Sequence, residues 1–133
     1  MASGAYLLFI HVLEDIRIKI GALGFMNFSK GFYIYVGSAV SQKKKRFLQN
    51  RVLRHCRLAS QKKNHWHIDY LLASDQTKIE RIILIPSKIH EECEIAEFFS
   101  KYCLSSVKRF GSSDCQCFSH LFYRKTLEFQ PSE

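Results

Sequence analysis

The chain is short of the residues that interrupt or divide a fold. Its 133 residues include two prolines and six glycines. No Pro/Gly/Ser-rich tract, internal repeat or low-complexity segment splits it, which excludes a linker and points to one domain. No apolar run approaches the ~20 residues of a membrane-spanning helix, so no membrane role is expected. Five cysteines cannot all pair within the chain. With no basic start leading into an apolar signal core, reduced thiols in a cytoplasmic compartment, nucleoid or nucleus included, are expected. Acid is scarce too: 12 Asp and Glu face 20 Lys and Arg, a net charge of +8. That balance predicts a polyanionic partner, nucleic acid first.

What the chain has is enough apolar material, 47%, for a core that buries roughly two thirds of the unfolded surface. Ala5 to Val12 reads as a buried strand, and Ile16, Ile18 and Ile20 alternate with Arg17 and Lys19 as a half-exposed one. These two are expected to form a hairpin. Gly21, Gly24 and Gly31 then punctuate the way to a strand from Phe32 to Val36. A helix is predicted from about Gln42 to Ala59, a shorter one over Asn64 to Leu72 with Asn64 as N-cap, a strand from Ile79 to Ile85, a helix from Ser87 to Cys103 and a last strand from His120 to Arg124.

Helical phasing separates two kinds of charge in the first helix. With Leu48 at zero, Val52, Cys56 and Ala59 fall within about 80° of it, and Arg51 and His55 fall at about 300° and 340°, inside the same apolar arc. Lys43, Lys44, Lys45 and Arg46 precede them, and Arg54 is expected as a phosphate contact or a surface charge. In the later helix Ile89, Cys93, Ile95, Ala96, Phe99 and Cys103 make the apolar face. Glu91, Glu94 and Glu97 point away from it, whereas Glu92 falls inside the arc. A carboxylate there needs a cation, a donor or a metal. If both inner faces cover one sheet, Arg51, His55 and Glu92 converge, a set suited to metal-assisted phosphodiester chemistry. The alternatives are a structural arginine, a satisfied core histidine and an Arg51–Glu92 pair.

Gly4-Ala5-Tyr6 and Tyr35-Val36-Gly37, followed by Arg51-Val52-Leu53-Arg54-His55 and then Glu92, resemble the ordered motifs of the GIY-YIG nuclease superfamily. Tyr33-Ile34-Tyr35-Val36-Gly37-Ser38-Ala39, the run from His65 to Leu72, Glu92-Cys93 and the run from Phe110 to Phe122 are similar to a branch of it found in archaea and bacteria, alone or joined to endonuclease-III-type repair enzymes. The resemblance implies an α/β (α+β) fold, a small mainly antiparallel sheet flanked by helices, over residues 1–129, with 130–133 as a loose tail. It implies hydrolysis of DNA, with catalytic residues Tyr6, Tyr35, Arg51, His55 and Glu92 and one Mg²⁺ or Mn²⁺ on Glu92. Lys43, Lys44, Lys45, Arg46 and Arg54 would bind the nucleic acid, DNA ahead of RNA, and a repair enzyme is the implied partner. The rival reading is a non-catalytic nucleic-acid-binding module of the same fold.

Two departures from the superfamily pattern stand out: Tyr6 and Tyr35 bracket an additional strand and a glycine-rich loop, and the usual late asparagine has no counterpart. Tyr33 shares a strand face with Tyr35 and is a second candidate phenol. Cys93, Cys115, Cys117 and His120 have ligand types suited to a structural zinc, but the CxC spacing is tighter than the common two-residue separation and favours buried free thiols. As metal ligands His65, His67 and Asp69 would share a face only in an extended segment, because on a helix the two histidines point apart; His67 is also a candidate for positioning substrate, without support from spacing.

Overall fold

The apolar run near the start of the chain becomes the middle of a sheet. In a computed structural model that describes residues 4–38, 48–56, 66–86, 92–103, 105–111 and 119–126, and the side chains of all of these but 48–51, Glu92 and Tyr102, strand β1 (Gly4–Val12) is buried almost throughout. Both of its faces are covered, which is why its sequence shows no alternation. Strand β4 (Gly31–Ser38) pairs antiparallel along one edge of β1, and strand β5 (Thr77–Pro86) along the other. Strand β7 (Leu121–Arg124) pairs with β4, and the two-residue strand β6 (Ser105–Ser106) with β7. The order is β5-β1-β4-β7-β6, a mainly antiparallel α+β sheet as expected. Pro86 is the last residue of β5, a place where an outer strand tolerates the missing N–H.

The predicted hairpin between the first two strands does not form. Both edges of β1 are taken by β4 and β5, so β2 (Ile16–Lys19) pairs instead with β3 (Phe25–Phe28) in a separate two-stranded ribbon. A 3₁₀ turn at Gly21–Leu23 joins them, with Gly21 and Gly24 at φ of 48° and 78°, backbone that side chains disfavour. Phe25–Phe28, read from the sequence as part of a loop, is therefore a strand.

Helices cover both faces of the sheet. α1 (Leu48–His55) and α2 (His67–Leu72) lay Val52, Ile68 and Leu71 against Tyr6, Leu8, Ile10, Tyr33 and Tyr35. α3 (Glu92–Tyr102) lays Ala96 and Phe99 against Leu7, Phe9, Ile34 and Val36 on the opposite face. The apolar face predicted for α3 is the one it buries, and Glu94 and Glu97 are exposed as expected. Cys56, placed by phasing on the inner face of the first helix, is exposed, because α1 ends at His55. The outer parts of that predicted helix, Asn64, Ser87, Ile89 and Glu91 lie outside the described residues. Among the described residues no helix is long and apolar enough to cross a membrane.

Leu8 is 0% exposed at the centre of this arrangement, whereas Leu53 on the outer side of α1 is 62% exposed. Leu8→Ala should cost about 2–5 kcal/mol and Leu53→Ala within about 0.5 kcal/mol, read from urea denaturation midpoints.

Candidate functional site

The β1–β4 register sets the site before any helix is added. Tyr6 lies opposite Gly37, and a Cβ on Gly37 would clash with the hydroxyl end of the Tyr6 ring. Glycine here supplies room for a close approach. The Tyr6 ring passes over this gap, and its hydroxyl meets Nε2 of His55 on α1 at 2.5 Å. The phenol donates when the imidazole carries its proton on Nδ1, and Nε2–H donates in the other tautomer. Tyr6 is 1% and His55 2% exposed. Tyr35 lies 6.3 Å from Tyr6 and edge-on to His55 at 6.2 Å, between ring centroids. Two phenols and an imidazole thus form one buried cluster, continued by Trp66 beside His55 and Phe110 beside Tyr35.

What holds α1 over this cluster is a half-buried ion pair. Arg54, expected as a phosphate contact or surface charge, donates from Nη1 and Nη2 to the two oxygens of Asp69 at 2.8 and 2.9 Å, and its guanidinium lies 4.3 Å from the centre of the Trp66 ring. Asp69 is 0% exposed. Its Oδ2 also accepts the backbone N–H of Trp66 at 2.8 Å, closing the first turn of α2. One carboxylate therefore starts α2 and anchors the preceding helix α1, so in place of the metal considered for it in the sequence its oxygens meet Arg54 and Trp66. A bidentate pair of this geometry is the strong kind.

His67 is committed as well. Its Nδ1 accepts the backbone N–H of Gly111 at 2.9 Å, and its ring meets Phe110. Burial pushes the imidazole below its ordinary pKa of 6.5, toward the neutral form that this hydrogen bond requires. Tyr33, the second candidate phenol, donates instead to the Ser29 carbonyl at 2.9 Å. Burial, and then the neighbouring Tyr123, push its pKa far up, so it is a poor proton acceptor beside the Tyr6–His55 pair.

The remaining candidates are distributed around this cluster. Arg51 stands one helical turn before His55 in α1. Glu92 is the first residue of α3. Both helices do cover one sheet, but from opposite faces, with α3 across the sheet from α1. The start of α3 nevertheless adjoins the same end of the sheet. Cys93 Sγ lies 3.8 Å from His120 Nε2, and the His120 carbonyl accepts the N–H of Val36, next to Tyr35. Among the described residues no group of three or more His, Cys, Asp or Glu is arranged to hold a metal. Cys115 and Cys117 of the candidate zinc set, Lys43 to Arg46 and His65 lie outside the described residues. The Arg54–Asp69–Trp66 clamp escaped the sequence reading, because Arg54 and Asp69 lie fifteen residues apart in different helices.

Fold and cluster together define a small α+β domain, a five-stranded sheet between helical layers with a buried Tyr–His–Tyr group at one end. Residues 5–132 match the family described as a domain of unknown function, DUF123, and the chain belongs to that family. No curated protein and no solved structure matches the chain.

Asp69→Asn keeps an acceptor for Trp66 N–H but removes the charge beside Arg54, so it should cost about 2–3 kcal/mol, the buried-pair loss lessened by solvent around Arg54. In a double-mutant cycle by urea denaturation, Arg54→Ala should cost at least about 1 kcal/mol less in the Asp69→Asn background than alone.

His67 has a second, pH-dependent consequence. Its folded pKa lies below 6.5, so below that pH the unfolded chain binds more protons and stability falls with acidification, until the folded pKa is passed. His67→Asn presents a non-titrating oxygen to Gly111 and should flatten this part of a stability profile measured between about pH 7 and pH 5.

Proposed function

We propose that this domain hydrolyses phosphodiesters in DNA with the help of one divalent cation, as a GIY-YIG-like nuclease acting in DNA repair. The observation that carries the reading is the Tyr6–His55 contact at 2.5 Å, beside Tyr35. A phenol bonded to an imidazole makes a proton path: water gives its proton to the Tyr6 oxygen as the phenol proton passes to Nε2 of His55. Tyr35 flanks that path and orients the water. Arg51, one turn before His55, stabilises the charge that builds on the phosphoryl oxygens.

A single carboxylate fits Mg²⁺ or Mn²⁺, which keep several waters and take further ligands from the substrate phosphate, so Glu92 at the head of α3 would hold the ion. When bound, the ion supplies charge neutralisation at the phosphate and a more acidic water. The net charge of +8 and the Lys43–Arg46 run support a polyanionic substrate in the cytoplasm or nucleoid, and a repair enzyme is the proposed partner.

A second reading has its own support. At 1% and 2% exposure, Tyr6 and His55 also suit a core hydrogen bond in a nucleic-acid-binding module without catalysis. The assay that divides them incubates wild type, Arg51→Ala and Glu92→Gln with Mn²⁺ and nicked, branched, abasic or single-stranded DNA. The nuclease reading expects metal-dependent product from wild type, about 10²–10³-fold less from Arg51→Ala, and DNA binding retained by all three. Binding without product on every substrate would establish the second reading.

A further inference from the structure

The ribbon that separates the two tyrosine strands presents an outer face with no role in the cluster. β2 and β3 turn Ile16, Ile18, Met26 and Phe28 inward, onto the same core as Tyr6 and Tyr35. Their outward residues are Arg17, Lys19, Phe25 and Asn27, all exposed. The register sets Arg17 across from Asn27 and Lys19 across from Phe25. On the diagonal, the Arg17 guanidinium stands 5.2 Å from the centre of the Phe25 ring.

This face has two cations, an amide and an aromatic ring, with no acid. Glu14 and Asp15 lie in the preceding turn, where Asp15 Oδ1 accepts the Lys30 N–H at 2.7 Å, off the strands themselves. Phe25 is 62% exposed. A lone phenyl on a cationic ribbon is too little apolar area for a protein or lipid interface, but it matches the flat face of one base. In a duplex those faces are hidden by stacking; in a single strand they are free. The Arg17–Phe25 contact holds the ring in place in advance, which lessens the ordering cost of binding.

We propose that the outer face of the β2–β3 ribbon docks single-stranded DNA, with a base stacked on Phe25 and phosphates held by Arg17 and Lys19. The proposal rests on the nucleic-acid reading above but not on cleavage. The ribbon joins the sheet at the Val12–Gly31 end, ~20 Å along β1 from Tyr6, so a strand held there is anchored away from the Tyr6–His55 pair and on the same face of the sheet.

The test is fluorescence anisotropy with a labelled oligothymidine and a duplex of equal length, over a range of salt. Phe25→Ala should weaken oligothymidine binding about 5- to 100-fold and duplex binding less than about twofold, with an unchanged urea midpoint because the residue is exposed. Arg17→Ala and Lys19→Ala should each lower the single-strand salt slope by about 0.7. If wild type binds oligothymidine and Phe25→Ala binds it within twofold, or loses duplex equally, the ribbon proposal is overturned and the nucleic-acid reading stands. If wild type binds neither DNA, both fall.

Discussion

The structure depends on one steric constraint, the passage of the Tyr6 ring across Gly37. Antiparallel pairing sets these two residues opposite one another, and only a residue without a Cβ leaves space for the ring. Through that gap the phenol reaches His55 on the helix above. A residue with a side chain at position 37 would push the ring aside or part β1 from β4, and with it the contact between sheet and helix. The two short tripeptides therefore form one device, in which the glycine of the second makes room for the tyrosine of the first.

Helices in proteins owe most of their stability to tertiary packing, and the position of α1 over the tyrosines comes from such contacts. Val52 supplies burial, and Arg54 supplies direction by binding both oxygens of the fully buried Asp69. Because Asp69 also closes the first turn of α2 through Trp66 N–H, the two helices are fixed as a pair. His67, one residue into α2, then ties that pair to Gly111, and Gly111 lies beside Tyr35. The polar residues of the His65–Leu72 run that are described, once candidates for metal or substrate, instead hold the cluster's surroundings in register.

Much of this was legible in the sequence, for reasons that also mark where legibility stopped. The run at Ala5–Val12, apolar but for His11, announced a buried strand, and phasing correctly turned His55 inward and Glu94 and Glu97 outward. Both are local properties of a periodic element. Phe25–Phe28 was missed because four residues offer little period to read, and the hairpin of β1 with β2 was misjudged because edge occupancy is decided by strands far along the chain. Arg54 lies off the apolar arc by phasing, so nothing local signals a partner fifteen residues away in another helix. Likewise the apolar face of α3 was read correctly, but a helix's own pattern does not say which side of a sheet it will cover. That choice separated Glu92's helix from α1.

The proposed chemistry therefore requires Glu92, from one side of the sheet, and the Tyr6–His55–Tyr35 cluster, from the other, to act on one phosphate at their common end. The most direct measurement is an NMR titration with Mn²⁺ that follows the ring protons of Tyr6, Tyr35 and His55. Selective paramagnetic broadening of these rings in the wild type, absent in Glu92→Gln, is the predicted result. Rings left sharp by Mn²⁺ in the wild type, or broadened equally in Glu92→Gln, would contradict a single site built from both faces.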